Sequence, residues 1–213
     1  METNWAAEHL QVIRTLMERS AVYRRALAPV MTFNGAIGTA AAVAGWIFKI
    51  SSPRAFIVFW ACVGAVAVAG SFLLVRRQAL KESEPFWSPP TRRITQAMLP
   101  ALVAGFIVGA VVWAHVESAS EAVGNVLGML WLPLSWIVLY GCAFHAAGFF
   151  MPRGMRIFGW AFVIGGCGLF ALGTPDWADR FVYAHGIMGS FFGVLHLAYG
   201  IYLYFTEQRK NEM

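Results

Sequence analysis

Residues 55–75 read AFIVFWACVGAVAVAGSFLLV, with Arg54 before them and Arg76 and Arg77 after them. A run of that length without one charge carries a helix, at about 1.5 Å of rise per residue, through a hydrocarbon layer roughly 30 Å thick. Basic residues at both ends suit the headgroup regions on either side of that layer. Five further blocks of the same kind fill most of the 213-residue chain. The expected spans are 28–48, 55–75, 94–115, 124–148, 155–173 and 181–205.

Composition supports this reading. Hydrophobic residues make up 59% of the chain and charged residues 13%, and the mean hydropathy is +0.61. Soluble domains carry about 25% charge. The 21 glycines are interspersed with Leu, Val, Ile and Phe, as in helices whose backbones approach closely. Small pairs four apart recur: Gly38 with Ala42, Ala65 with Ala69, Gly105 with Gly109, Gly124 with Gly128, and Gly189 with Gly193. Pro100 and Pro133 are expected to kink spans 3 and 4. Cys62, Cys142 and Cys167 all fall inside apolar blocks. They form neither a disulfide framework nor a CxxC metal signature, and are expected to act as small packing residues.

The net charge of +5 does not imply nucleic acid, because the basic residues stand at block ends, where orientation and anionic headgroups explain them. Thirteen Lys and Arg fall in the N-terminal segment, the second and fourth loops and the tail; only Lys49, Arg54 and Arg180 fall opposite. The positive-inside rule then puts both termini in the cytoplasm of a plasma (inner) membrane protein. The start of the chain mixes Glu2, Glu8 and Glu18 with four arginines, unlike a cleavable signal. Leu10, Ile13, Leu16, Met17 and Leu27 recur there at helical spacing. The expected fold is therefore all-α: one integral membrane domain over residues 1–213, a polytopic six-helix transmembrane bundle with an N-terminal amphipathic cytoplasmic helix in residues 1–27. The longest cytoplasmic connection, RRQALKESEPFWSPPTRR, ends at Arg93. Pro85, Pro89 and Pro90 should keep it extended. Phe86 and Trp87 would dock a cytoplasmic partner or rest at the interface.

No Asp, Glu, Lys or Arg stands at mid-span, which disfavours charge-coupled transport. His115, His145, His185 and His196 are the candidate cofactor-binding residues. His185 and His196 lie eleven residues apart, about three turns or 16 Å, on one face. That face continues through Gly189, Phe192, Tyr199 and Leu203 and should point into the bundle, since lipid satisfies neither imidazole nor phenol. Two bis-histidine haem b groups are one expectation, held by His115 with His185 and by His145 with His196. Asn34, His145, His196 and Tyr199 converging on a cytoplasm-facing pocket is another. No metal set is assigned.

Six spans with cytoplasmic ends, Ser135 on span 4 and Ala184-His185-Gly186 opening span 6 resemble the rhomboid-type intramembrane proteases. The resemblance implies a serine nucleophile and a histidine base. It departs from the family where Ser135 sits in Leu-Pro-Leu-Ser-Trp-Ile without flanking glycines. Span 2 also lacks the His and Asn that would stabilise developing charge. No catalytic residue is assigned. The first functional expectation is a non-enzymatic membrane subunit, regulator or signalling partner acting through its cytoplasmic face, with residues 1–27 and the Phe86-Trp87 loop as contact points. A small-molecule transporter or channel and a haem- or metal-binding redox protein are the alternatives.

Overall fold

The computed structural model describes residues 26–81, 85–173 and 179–211, with 207–211 as backbone. Residues 1–25, and so nearly all of the expected amphipathic helix, lie outside the described residues; Ala26 and Leu27 open the first span. Six helices are long and apolar enough to cross a membrane: α1 (Ala26–Ile47), α2 (Pro53–Lys81), α3 (Pro89–His115), α4 (Glu121–Ala147), α5 (Arg153–Leu172) and α6 (Arg180–Thr206, continuing to Asn211). All regular structure among the described residues is helical.

Helix starts and stops follow local chemistry. Ser52 accepts a hydrogen bond from the Ala55 amide (3.3 Å) ahead of Pro53 in the first position of α2, where a missing N–H costs nothing. Asp179 caps α6 through the Phe181 amide at 3.0 Å. The C-terminus of α1 closes with the Ile50 amide on the Gly45 carbonyl and the Lys49 amide on the Trp46 carbonyl. That is a Schellman turn, and Lys49 (φ 48°) occupies the left-handed position where glycine is usual.

Two expectations about the second loop are corrected. α2 continues past the apolar run to Lys81, and α3 begins at Pro89 rather than at 94. Proline stops a helix only from inside it; at the first turn Pro89 and Pro90 lack amides that would be unpaired anyway. The connection is thus short and folded: Thr91 Oγ1 donates to the Phe86 carbonyl (2.9 Å), and Phe86 packs edge-on to Phe72 at 4.8 Å. Trp87 remains 60% exposed.

The helices pack antiparallel around α4 and α6. α6 meets α1 along a seam of small residues: a Cβ on Gly193 would stand 2.7 Å from the Thr39 backbone, and one on Gly200 2.7 Å from that of Thr32. Gly35 and Gly38 likewise face the backbone of Leu197 and Phe192. α4 meets α5 through Gly141 and Gly159, and Trp136 of α4 donates to the Gly105 carbonyl of α3 at 2.9 Å. Four of the five small pairs therefore seat a neighbour. Ala65 and Ala69 instead face outward, as do Cys62, Cys142 and Cys167, which do not pack inside the bundle. Small apolar side chains are tolerated on either surface of such a helix.

Pro100 leaves α3 continuous. Pro133 follows a π turn, Leu127–Trp131, closed by the Leu132 amide on the Leu127 carbonyl five residues back. A second π turn spans Gly189–Leu195. Both lie in the two central helices. At one end of the bundle, here the basic end, α1, α3 and α5 begin and α2, α4 and α6 finish. At the opposite end Arg54 pairs with Glu117 (2.6 Å) and lies over Trp113.

Candidate functional site

Among the described residues, His185 and His196 are the only buried histidines, with 0% and 1% exposure. Each is the polar centre of one of two core clusters. The cluster towards the opposite end contains Ala41 and Ala42 of α1, Phe56 and Trp60 of α2, Met129 of α4 and Met188 of α6. The cluster nearer the basic end contains Met31 of α1, Ile137 and Phe144 of α4, and Phe158 and Phe162 of α5.

His185 stands in the second turn of α6. Phe56, Phe59, Trp60 and Phe181 surround its ring with centroids at 4.9 to 6.0 Å. Gly45 lies directly against the ring, leaving no room there for a Cβ. Trp60 Nε1 donates to His185 Nδ1 at 3.2 Å, and Nε2 meets the Ile50 carbonyl at 3.2 Å. An indole N–H only donates and a carbonyl only accepts, so the partners assign a neutral ring protonated on Nε2. The Schellman turn at Lys49 aims that Ile50 carbonyl inward.

His196 carries the opposite tautomer. Its Nδ1 meets the Phe191 carbonyl at 2.9 Å, and its Nε2 meets Tyr140 Oη at 2.8 Å. The carbonyl fixes the proton on Nδ1, and Tyr140 becomes the donor to Nε2. The backbone amide of His196, closing the π turn, bonds to Gly193. The imidazole thus serves a carbonyl inside a stretch whose ladder has shifted register. Tyr140, Phe144, Phe158, Phe162 and Phe192 surround it with centroids at 5.0 to 6.4 Å.

The inward stripe of α6 is present: His185, Gly189, His196 and Leu203 are buried, and Phe192 and Tyr199 partly so. The other candidate residues are dispersed. His115 is exposed, with Nδ1 on the Val111 carbonyl of its own helix at 2.8 Å. His145 packs against Trp160 (5.1 Å) and Phe149 (5.4 Å) on the flank between α4 and α5. Asn34 accepts from Ser71 of α2 at 3.1 Å. Tyr199 stacks on Phe158 at 4.9 Å, which also touches His196, so these two share a neighbour. Both nitrogens of His185 and of His196 are engaged by protein groups and are not free to ligate a haem iron while those bonds stand. No group of three or more His, Cys, Asp or Glu that could hold a metal ion is found among the described residues. Ser135 donates to the Trp131 carbonyl at 2.7 Å, so neither it nor His185 has a group turned to the other.

Trp60 and Tyr140 are the partners that sequence reading passed over. Trp60 carried no signal inside an apolar run. Tyr140 carried one: a phenol in mid-span needs a partner, and an imidazole on a facing helix is a natural choice. Fold and site together define a class, an all-helical bundle with apolar outer faces and two internally bonded histidines. No family model, curated protein or solved structure matches the chain.

Proposed function

We propose that the chain is a multi-pass plasma membrane protein with both termini cytoplasmic, acting as a non-enzymatic subunit, regulator or signalling partner through its basic, cytoplasmic end. The observation that carries this reading is the state of the interior. Aromatic and aliphatic side chains fill both clusters, and the two buried imidazoles are bonded to the protein itself. Such an interior holds a fold and leaves the surfaces to do the work. Membrane placement is supported by the outer faces: Val66, Val68, Leu73, Phe106 and Ile107 are all more than half exposed. So many exposed large apolar side chains on the outer helices belong against lipid or another protein. Orientation is supported by the charge bias, and the working end by Trp87, held outward on a turn fixed by Phe86 and Thr91.

The test is purification of the tagged full-length protein from its own membranes. A stoichiometric protein partner is expected, lost on deletion of residues 1–24 and weakened by W87A. Unchanged association in both variants overturns the reading. Transport is the second reading, favoured by the two π turns in the central helices, since such turns are frequent at functional sites. Solute flux in liposomes containing the purified protein decides for it.

A further inference from the structure

The structure assigns a binding site for the headgroup of an anionic phospholipid to the outer flank of α4 and α5 at the basic end. This inference rests on the membrane placement proposed above. Four residues meet there: His145 from α4, Phe149 from the turn just after it, and Arg156 and Trp160 from α5. His145 packs edge-on to Trp160 at 5.1 Å, and the Arg156 guanidinium lies over the Phe149 ring at 5.4 Å. The pairing depends on two close approaches. Gly148 lies against the stem and backbone of Arg156, and a Cβ on Gly159 would stand 2.9 Å from His145 Cα. The two glycines thus let the backbones carrying the quartet approach closely.

Its polar groups lack protein partners. His145 Nδ1 takes no hydrogen bond but is buried out of a headgroup's reach, so its ring packs the site while Arg156 and Trp160 supply the polar contacts. Among the described residues, the single ion pair is Arg54 with Glu117, so no carboxylate neutralises Arg153 or Arg156. No hydrogen bond among those residues reaches the Trp160 indole N–H. Arg156 and Trp160 stand one turn apart along α5, about 6 Å. That spacing offers a cation at phosphate depth and a neutral donor one layer deeper, where a phospholipid carries its ester carbonyls. The guanidinium, planar and lying over a ring, suits a phosphate's paired oxygens better than an ammonium would.

The surroundings favour lipid over an acidic peptide. Phe149 is 65% exposed and Trp160 49%, and Ile157 and Ile164, before and after Trp160 along α5, are outward apolar residues too. Acyl chains cover such a face, whereas a water-soluble peptide would leave it bare.

The test is native mass spectrometry of the full-length protein in detergent, titrated with phosphatidylglycerol or with phosphatidylcholine of the same acyl chains. Phosphatidylglycerol should remain bound preferentially. R156Q should weaken it roughly fivefold, the effect of one headgroup-facing cation, and R153Q/R156Q further. W160F should weaken both lipids slightly. R76Q/R77Q removes equal charge from the same end and should leave retention near wild type. Equal losses in the two double variants would reduce the site to diffuse attraction and overturn it, as would displacement by millimolar inorganic phosphate. A protein that enters detergent micelles but shows no preference between the lipids refutes this site alone. One that stays monodisperse in water without detergent refutes the membrane reading as well.

Discussion

His185 and His196 sit on the same face of the same helix, yet they are held in opposite ways. His185 is bonded entirely by residues far away in sequence, Trp60 on α2 and Ile50 in the turn after α1. It clamps three elements at the opposite end of the bundle. His196 has one distant partner, Tyr140, and one local partner, the Phe191 carbonyl of its own π turn. It joins two central helices while satisfying a backbone group within one of them. A single residue type thus performs two tasks, tertiary clamp and local brace, and the assigned proton position follows the task.

Each histidine can be perturbed without touching the other. H196A should have the largest effect. It leaves Tyr140 Oη without its partner, removes the imidazole bond to the Phe191 carbonyl and opens a cavity among four phenylalanines, at a cost of about 2–4 kcal/mol. Thermal unfolding in detergent should show a clear loss of stability, with retention of the fold at the His185 end reported by Trp60 fluorescence. G45A comes next. The added methyl overlaps the His185 ring and must displace it or α1, an overpacking cost of about 1–3 kcal/mol. Here the Trp60 emission should shift while the His196 cluster stays intact. Y140F removes one hydroxyl and keeps the ring, so it should cost only about 0.6 kcal/mol and no more than about 1.7, the average and maximum for hydrogen bonds between helices in lipid. K49G is expected to be the mildest change and to raise stability slightly, by up to about 1 kcal/mol, because glycine adopts the φ of 48° without strain. A loss on K49G would mean that the Lys49 side chain has a role beyond the turn.

The same contrast explains what the sequence made legible. Six uncharged runs announce six spans because only length and polarity are needed, and the His185-to-Leu203 stripe is readable from helical spacing. The ends of α2 and α3 were not readable, since charged turns at Arg76 and Arg92 interrupt the apolar pattern but not the helix. Nor was Trp60, the partner of His185, whereas the mid-span phenol of Tyr140 signalled the need for a partner without saying which imidazole it meets. An apolar run carries little periodicity, so the rotation that turns Trp60 and Tyr140 inward is set by packing against α6. The π turns shift phase by a single residue, too little to register in a pattern of Gly, Leu and Phe. Asn34 and His145, grouped with His196 by depth alone, face Ser71 and Trp160 because depth says nothing about azimuth.

Both interior imidazoles are bonded to protein groups at each ring nitrogen. Solid-state ¹⁵N NMR of histidine-labelled protein in lipid bilayers tests this directly, with H185N and H196N to assign the signals. Two neutral rings should appear, one protonated at Nε2 for His185 and one at Nδ1 for His196. A metal-shifted nitrogen, a doubly protonated ring at neutral pH, or the same tautomer at both positions would contradict it.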